Sequence, residues 1–215
     1  MTKISIYYTS IYDCDGLILE PILSEQRHKR NAQLTHEKQI MHSNAAEVCL
    51  CAALFDRGVK LPPDYKYNAL GLPVLNGNEY FVSLSHSDEY CACAVSDEPV
   101  GLDVERSRIV HWKLYDRIRM MDEPTPKDNE EVIELWTQKE AVLKLTGCAI
   151  TGSMRSFGVF YPEVRMGDEA PFAYVSSQKN DSYWISVAAY HSIEHELIKV
   201  TREKALEMLT ATKKQ

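Results

Sequence analysis

The feature that most constrains the fold is a long stretch free of glycine and proline. Residues 24–57 contain neither residue type, and small apolar residues between 45 and 53 give the stretch an apolar side. This pattern predicts one or two helices that end before Gly58 and the pair Pro62 and Pro63. A second helical block is expected at residues 112–121 and 128–145, where Gly147 supplies the stop signal.

Alternating β-branched and aromatic residues predict strands on both sides of each helical block. The expected strands are residues 4–9, 79–85, 90–96, 100–105, 157–161, 172–177 and 183–191. Short turns separate the strands between 79 and 105, which favours a small antiparallel meander. Residues 61–78 carry three prolines and two glycines, which predicts a long loop.

The order strand, helices, strands occurs twice, and this repetition predicts the fold class. We expect an α+β fold of two similar halves, each a small antiparallel sheet packed with helices. The first half would be residues 1–99 and the second residues 100–215. A chain of 215 residues is long enough to bury a core in either one large domain or two packed halves.

Charge and cysteine content exclude several classes of protein. The formal net charge of -7 argues against nucleic-acid binding through overall charge. No apolar run approaches the roughly 20 residues of a membrane span, and the N-terminal residues lack the pattern of a signal peptide. We therefore expect a cytoplasmic protein that does not bind membranes. The six cysteines include no C-x-x-C pair, which favours reduced thiols over a zinc site.

Three carboxylates and a lysine are the candidate chemical groups. Asp103 and Glu105 are two apart in an expected strand and would share a face; a polar outer face of an edge strand would give the same pattern. Glu140 and Lys144 are four apart in the second helical block and would also share a face. They could form a solvated ion pair, or supply a third carboxylate for a metal and an ammonium group for a phosphate.

Two further groups could bind an anion. The segment Ser85, His86 and Ser87 ends an expected strand with a histidine between two hydroxyl groups. Residues 27–30 are Arg, His, Lys and Arg, although such a run is more often a solvated helix face.

Two sequence motifs resemble those of a known family. VGLDVE at residues 100–105 and WTQKEAVLK at residues 136–144, with FVSLSHS upstream, resemble the 4′-phosphopantetheinyl transferase superfamily. The resemblance is to its longer, pseudodimeric, surfactin-synthetase-activating type, and both motifs match at every defined position. It implies transfer of 4′-phosphopantetheine from coenzyme A to a serine of an apo-acyl or apo-peptidyl carrier protein, releasing adenosine 3′,5′-bisphosphate. It also implies a monomer that serves secondary metabolite biosynthesis.

The same resemblance implies roles for particular residues. Asp103, Glu105 and Glu140 would bind Mg²⁺, for which Mn²⁺ could substitute. Glu140 would also act as the catalytic base, and Lys144 would neutralise the phosphate under attack. The implied coenzyme-binding residues are Arg27, Arg30, His42, Ser85, His86 and Lys139.

Two positions depart from the family pattern, and two other functions compete with the resemblance. Leu72 stands between Gly71 and Pro73 where a lysine or arginine is common, and His42 stands where an arginine is usual. A metal-dependent phosphohydrolase could use the same carboxylates with water as the nucleophile. A non-catalytic module that binds coenzyme A or a carrier protein would not need the intact carboxylates and lysine.

Overall fold

The computed structural model describes residues 1–69, 71–77, 80–148 and 154–213. The chain divides into two compact units. One contains residues 5–95 and 196–215, and the other contains residues 1–4 and 96–195. The division at residue 95 lies close to the expected boundary at 99, but residues 196–215 belong with residues 5–95 and not with the second half. The assignment of 1–99 and 100–215 to two separate halves stays a prediction.

The unit of residues 5–95 and 196–215 contains the helix α2 (Glu37–Phe55), and we call it the α2 unit. Its other helical segments are a 3₁₀ turn (Glu20–Ile22), α1 (Glu25–Asn31) and α5 (Arg202–Thr212). Its strands are β1 (Thr2–Ser10), β2 (Tyr65–Tyr67), β3 (Pro73–Leu75), β4 (Phe81–Ser87), β5 (Tyr90–Ser96) and β11 (Ile193–Lys199). The division between the two units falls within β1, β5 and β11. Four of them form one sheet in the order β11-β1-β5-β4, and β2 pairs with β3.

The unit of residues 1–4 and 96–195 contains the helix α4 (Asn129–Thr146), and we call it the α4 unit. A shorter helix, α3 (Lys113–Ile118), precedes it. The strands of this unit are β6 (Gly101–Arg106), β7 (Gly158–Phe160), β8 (Glu163–Arg165), β9 (Ala173–Asn180) and β10 (Tyr183–Ala189). They form one five-stranded sheet in the order β6-β10-β9-β8-β7, with antiparallel pairing throughout.

Helix α2 is the centre of the core of its unit. Every residue from 45 to 54 is buried, which is the pattern of a helix covered on all sides and not of a helix with one solvated face. Five of the six free cysteines are buried, and Cys148 is exposed, in agreement with the expected reduced thiols. Within the described residues, no helix combines the length and the apolar character that crossing a membrane requires.

Helix α4 begins and ends where its sequence predicts. The side chain of Asp128 accepts a hydrogen bond from the backbone N–H of Glu131 and caps the first turn. Gly147 closes the other end in the left-handed conformation, with φ of 66°, which a residue with a Cβ adopts only with strain. These two caps fix the helix that carries Glu140 and Lys144.

The α+β class, with small antiparallel sheets packed against helices, is confirmed, and three local expectations need correction. The meander is right only for its first two strands: β4 and β5 are neighbours in one sheet, but β5 has β1 on its other side and β6 pairs with β10 in the other sheet. The segment 61–78 is not all loop, because β2 and β3 pair across it. Strands β8 and β11 and helix α5 were not expected. Residue Glu79, placed at the start of an expected strand, lies outside the described residues.

Candidate functional site

Three carboxylates in the α4 unit lie between strand β6 and helix α4, which pack against each other. Asp103 and Glu105 belong to β6, and Glu140 belongs to α4. Asp103 is only 5% exposed and Glu140 only 8% exposed. A buried carboxylate is not the polar outer face that an edge strand would show, so this alternative is wrong for Asp103. We call Asp103, Glu105 and Glu140 the acidic cluster.

Gly101 explains how β6 and α4 come close enough to form this cluster. A Cβ at residue 101 would lie 1.9 Å from the backbone oxygen of Ala141 and 2.6 Å from the backbone nitrogen of Leu145. Both atoms belong to the backbone of α4 and cannot move without shifting the helix. The glycine of the VGLDVE motif is therefore required by the close contact between strand and helix, and Asp103 follows it on the same strand.

Charged partners set the electrostatics of the acidic cluster. Lys144 Nζ lies 2.8 Å from Asp103 Oδ1, and Arg108 lies 2.5 Å from Glu105 Oε2. Burial raises the pKa of Glu140 to about 7; the charge of Asp103 adds to this effect, Lys144 opposes it and Glu105 adds slightly more. Lys144 thus forms an ion pair with Asp103 across the two elements, which differs from the alternative of a solvated pair with Glu140 on the helix surface.

The acidic cluster has the right atoms for a hard divalent cation. Carboxylate oxygens are the ligands that Mg²⁺ prefers, and the mutual repulsion that raises the pKa of Glu140 would be relieved by a cation. In the described part of the chain, no three Asp, Glu, His or Cys side chains are arranged so as to hold a metal ion. The cluster thus offers the type of ligand atom that suits Mg²⁺, while Asp103 is paired with Lys144 and Glu105 with Arg108.

A cavity of about 200 Å³ lies in the α2 unit among basic side chains. We call it the basic cavity; its lining residues are Arg27, Arg30, Leu34, Gln39, His42, Ser43, Ala46 and His86. Arg27 is buried, and Arg30 is exposed, with its guanidinium group 5.8 Å from the centre of the Tyr67 ring. The structure thus brings together four of the predicted coenzyme-binding residues in one cavity.

The two histidines of the basic cavity stack on each other. The ring centres of His42 and His86 lie 5.2 Å apart, and the ring planes are inclined by 15°. His42 Nε2 contacts the backbone oxygen of Asp88. Neighbouring residues of a strand point to opposite faces, and on β4 Ser85 is buried while His86 is exposed. Ser85 is not among the residues that line the basic cavity, and its contact with the coenzyme stays a prediction.

Arg27 is held in place by a buried carboxylate. Its Nε lies 3.0 Å from Glu47 Oε2, and its Nη1 donates to Ser43 Oγ at 3.0 Å. Burial alone would lower the pKa of Arg27, but the charge of Glu47, with help from Tyr65 and Tyr67, raises it above its ordinary value. The arginine is thus a fixed positive charge at the edge of the cavity.

The segment that contains the acidic cluster is similar to known proteins. Residues 99–188 match the family model described as the 4′-phosphopantetheinyl transferase superfamily. This segment contains both motifs, VGLDVE and WTQKEAVLK, and all residues of the acidic cluster. We call residues 99–188, which match this family model, the superfamily segment.

Three curated relatives carry the name of 4′-phosphopantetheinyl transferase. The gsp protein of Aneurinibacillus migulanus is 31% identical over 102 residues, which are 44% of this chain and 43% of the relative. The psf-1 protein of Bacillus pumilus is 30% identical over 131 residues, 54% and 56% of the two chains. The Sfp protein of Bacillus subtilis is 25% identical over 122 residues, 51% and 54%. The chain thus spans about half the length of the curated relatives it matches.

Within the superfamily segment, Lys139 lies in the core. Its side chain is fully buried, and Nζ lies 3.0 Å from Glu123 Oε1 and donates to the backbone oxygens of Met154 and Phe157. Burial lowers the pKa of Lys139, and Glu123 opposes this effect. Its ammonium group is held inside the core, and binding of the coenzyme by Lys139 stays a prediction.

Two carboxylates that the motifs do not include hold the predicted cations in place. Glu123 forms an ion pair with Lys139 and also accepts a hydrogen bond from the backbone N–H of Val159 at 2.7 Å. Glu47 forms an ion pair with Arg27. The sequence carries a signal for Glu47, because it is the one acidic residue within the apolar stretch 45–54. Glu123 has no such signal, since it lies among polar residues and prolines.

Proposed function

We propose that the protein transfers the 4′-phosphopantetheine group of coenzyme A to a serine of an apo-carrier protein. The observation that carries this proposal is the buried pair Asp103 and Glu140, beside Lys144, within the superfamily segment 99–188. The shared name of the three relatives supports the same reaction. The proposed partners are coenzyme A and an acyl or peptidyl carrier protein; a monomeric state, a cytoplasmic location and the absence of nucleic-acid or membrane binding stay predictions.

Glu140 is the proposed base. The family resemblance gives it this role, and its ionised carboxylate could accept a proton from the serine hydroxyl group. The serine oxygen forms a bond to the β-phosphorus of the coenzyme while the bond from that phosphorus to the bridging oxygen breaks. The electron pair leaves with adenosine 3′,5′-bisphosphate, and the hydroxyl proton is held on Glu140.

Lys144 supplies positive charge to the same reaction. Its ammonium group already lies 2.8 Å from Asp103 at the acidic cluster and is 18% exposed, so a phosphate oxygen can approach it. Charge that develops on the phosphate oxygens is stabilised by a cation placed in advance. Asp103, Glu105 and Glu140 would hold Mg²⁺, which when bound neutralises part of the diphosphate charge.

The basic cavity is the proposed site of the 3′-phosphate of the coenzyme. Arg27 and Arg30 carry permanent charge there, and His42 and His86 offer ring N–H groups. Such a local basic site resolves the difficulty that the whole chain has a net charge of -7 and would repel an anionic ligand. Contact between Ser85 and the coenzyme stays a prediction.

The direct test is to incubate the protein with coenzyme A, Mg²⁺ and several apo-carrier proteins and to weigh the carriers by mass spectrometry. The expected result is a mass gain of one phosphopantetheine group per carrier, which disappears when excess chelator is added. Cleavage of coenzyme A without modified carrier would identify a phosphohydrolase and overturn the proposal. Binding of coenzyme A with neither product would identify a non-catalytic module.

A further inference from the structure

A buried carboxylate behind the basic cavity has no part in the proposed reaction. Glu47 is fully buried in helix α2 and is not among the residues that line the cavity. Its Oε1 accepts from the backbone N–H of Ser24 at 3.1 Å. Its Oε2 accepts from Arg27 Nε at 3.0 Å and from the hydroxyl group of Tyr65 at 2.8 Å. Three donors from two segments of the chain, the start of α1 and strand β2, therefore converge on one side chain.

This arrangement orients Arg27 from two directions. Glu47 binds the Nε side of the guanidinium group and Ser43 binds Nη1, while Nη2 has no hydrogen bond within the part of the chain that the structure describes. Ser43 is itself held, because its hydroxyl group donates to Asn31 Oδ1 at 2.5 Å. The planar guanidinium group thus has little freedom to turn, and its remaining edge lies at a cavity.

Stability alone does not account for a charged pair at this position. Removing two charges from water is costly, and a buried ion pair is often no more stable than a pair of apolar side chains of the same volume. Apolar residues flank Glu47 on α2, so the packing of the helix itself does not require a carboxylate there. A function that requires a fixed cation at the cavity does account for the pair.

We infer that Glu47 is a positioning residue that holds Arg27 for the 3′-phosphate of coenzyme A, and so sets the preference for coenzyme A over its 3′-dephospho form. This inference rests on the proposed function, since it assigns the phosphate to the basic cavity. A cation that is oriented before binding loses less freedom when the ligand arrives than a mobile one does. Glu47 would act through Arg27 without touching the ligand.

The test compares the two substrates in Glu47→Gln. The readout is the ratio of kcat/KM for coenzyme A to that for 3′-dephospho-coenzyme A, with the ratio of Kd values from calorimetry beside it. Loss of one hydrogen bond to a charged group predicts that both ratios fall about ten- to hundredfold. A merely structural role would lower kcat/KM for both substrates equally and leave the ratio unchanged, which would overturn the inference.

Glu123→Gln is the matched control, because it alters the buried carboxylate of the α4 unit. Glu123 holds Lys139, whose ammonium group is buried and does not line the basic cavity. We expect this variant to lose activity with both substrates and to keep the wild-type ratio. An equal fall of the ratio in both variants would show that it reports general damage and would overturn the inference.

A second variant keeps the test valid if Glu47→Gln does not fold. Ser43→Ala removes the hydroxyl partner of Arg27 and no charge, so the fold should persist. We expect the ratio to fall by a smaller factor of about two- to tenfold, as for one uncharged partner. An unchanged ratio in folded Ser43→Ala would overturn the inference.

The two proposals fail in different ways. Wild-type protein that modifies carriers equally well from both forms of the coenzyme would overturn the role of Glu47 and leave the transferase reaction intact. Wild-type protein that modifies no carrier would overturn both.

Discussion

Each unit buries a charged pair beside its long helix, and the two pairs differ in what their cation contacts. In the α2 unit, Glu47 of the helix holds Arg27, which lines the basic cavity. In the α4 unit, Lys139 of the helix is held by Glu123 and also donates to two backbone carbonyl groups. The arginine thus keeps an edge at a cavity, whereas the lysine connects segments of backbone inside the core.

A second, more exposed cation lies on the same helix as each buried one. Arg30 follows Arg27 on α1 and is exposed, and Lys144 follows Lys139 on α4 and is 18% exposed. Water screens an exposed charge and leaves its side chain mobile, whereas a buried charge interacts strongly with its fixed partners. Burial therefore separates cations that fixed partners hold in one orientation, Arg27 and Lys139, from cations that water screens, Arg30 and Lys144.

Lys139→Met should have the largest effect. It leaves Glu123 buried without its cation, and breaking a buried ion pair destabilises a protein by about 3–5 kcal/mol. Urea unfolding should show this as a lower midpoint. The double variant Lys139→Met with Glu123→Gln should recover part of the loss, because no unpaired charge remains. A wild-type midpoint for Lys139→Met would show that this pair does not organise the core.

Lys144→Ala should affect chemistry more than stability. Removing a group that stabilises charge in the transition state lowers kcat by about 10²–10³-fold. The loss of stability should be smaller than for Lys139→Met, because the ammonium group of Lys144 is partly exposed and that of Lys139 is not. Single-turnover transfer to a carrier measures the first effect and urea unfolding the second. Normal transfer by Lys144→Ala would remove this lysine from the reaction.

The sequence predicted elements whose signals are local. The caps of α4, Asp128 and Gly147, act within one turn of chain, and the helix was predicted to within a residue of its bounds. Strand pairing is not local. The turn at residues 97–99 resembles a hairpin turn, but β5 pairs with β1 and β6 pairs with β10. Which strand becomes a neighbour depends on tertiary packing that alternation of side chains cannot encode.

The same limit applies to the candidate site. Motif spacing predicted only that Glu140 and Lys144 share a helix face; the family resemblance predicted that Asp103 acts together with them. Motif spacing did not predict that Lys139, adjacent to Glu140, would be fully buried, since the buried partner Glu123 is 16 positions away in an irregular segment. It likewise placed Ser85 with His86, although the two side chains differ in burial on one strand.

Gly101→Ala tests whether backbone contact in the α4 unit matters as much as its charges. The added Cβ would meet backbone atoms of Ala141 and Leu145, and overpacking of this kind costs about 1–3 kcal/mol. We expect a lower unfolding midpoint and slower transfer. Gly158→Ala is the control, because its Cβ would meet side-chain atoms of Phe160 and Met120, which can move. Equal losses in both variants would contradict the assigned role of Gly101.

Arg30→Ala should have the smallest effect, and it tests the comparison from the exposed side. The guanidinium group of Arg30 lies over the Tyr67 ring at the mouth of the basic cavity, exposed to water and salt. An exposed charge contributes at most about 1 kcal/mol, so the preference for coenzyme A over its 3′-dephospho form should fall less than about fivefold. Added salt should shrink this contribution further, because it screens exposed charges more than buried ones. The measurement is the ratio of kcat/KM for the two substrates at low and high KCl, in wild type, Arg30→Ala and Glu47→Gln. If Arg30→Ala lowers the ratio as far as Glu47→Gln does, the orientation of a buried arginine is not what gives the cavity its preference.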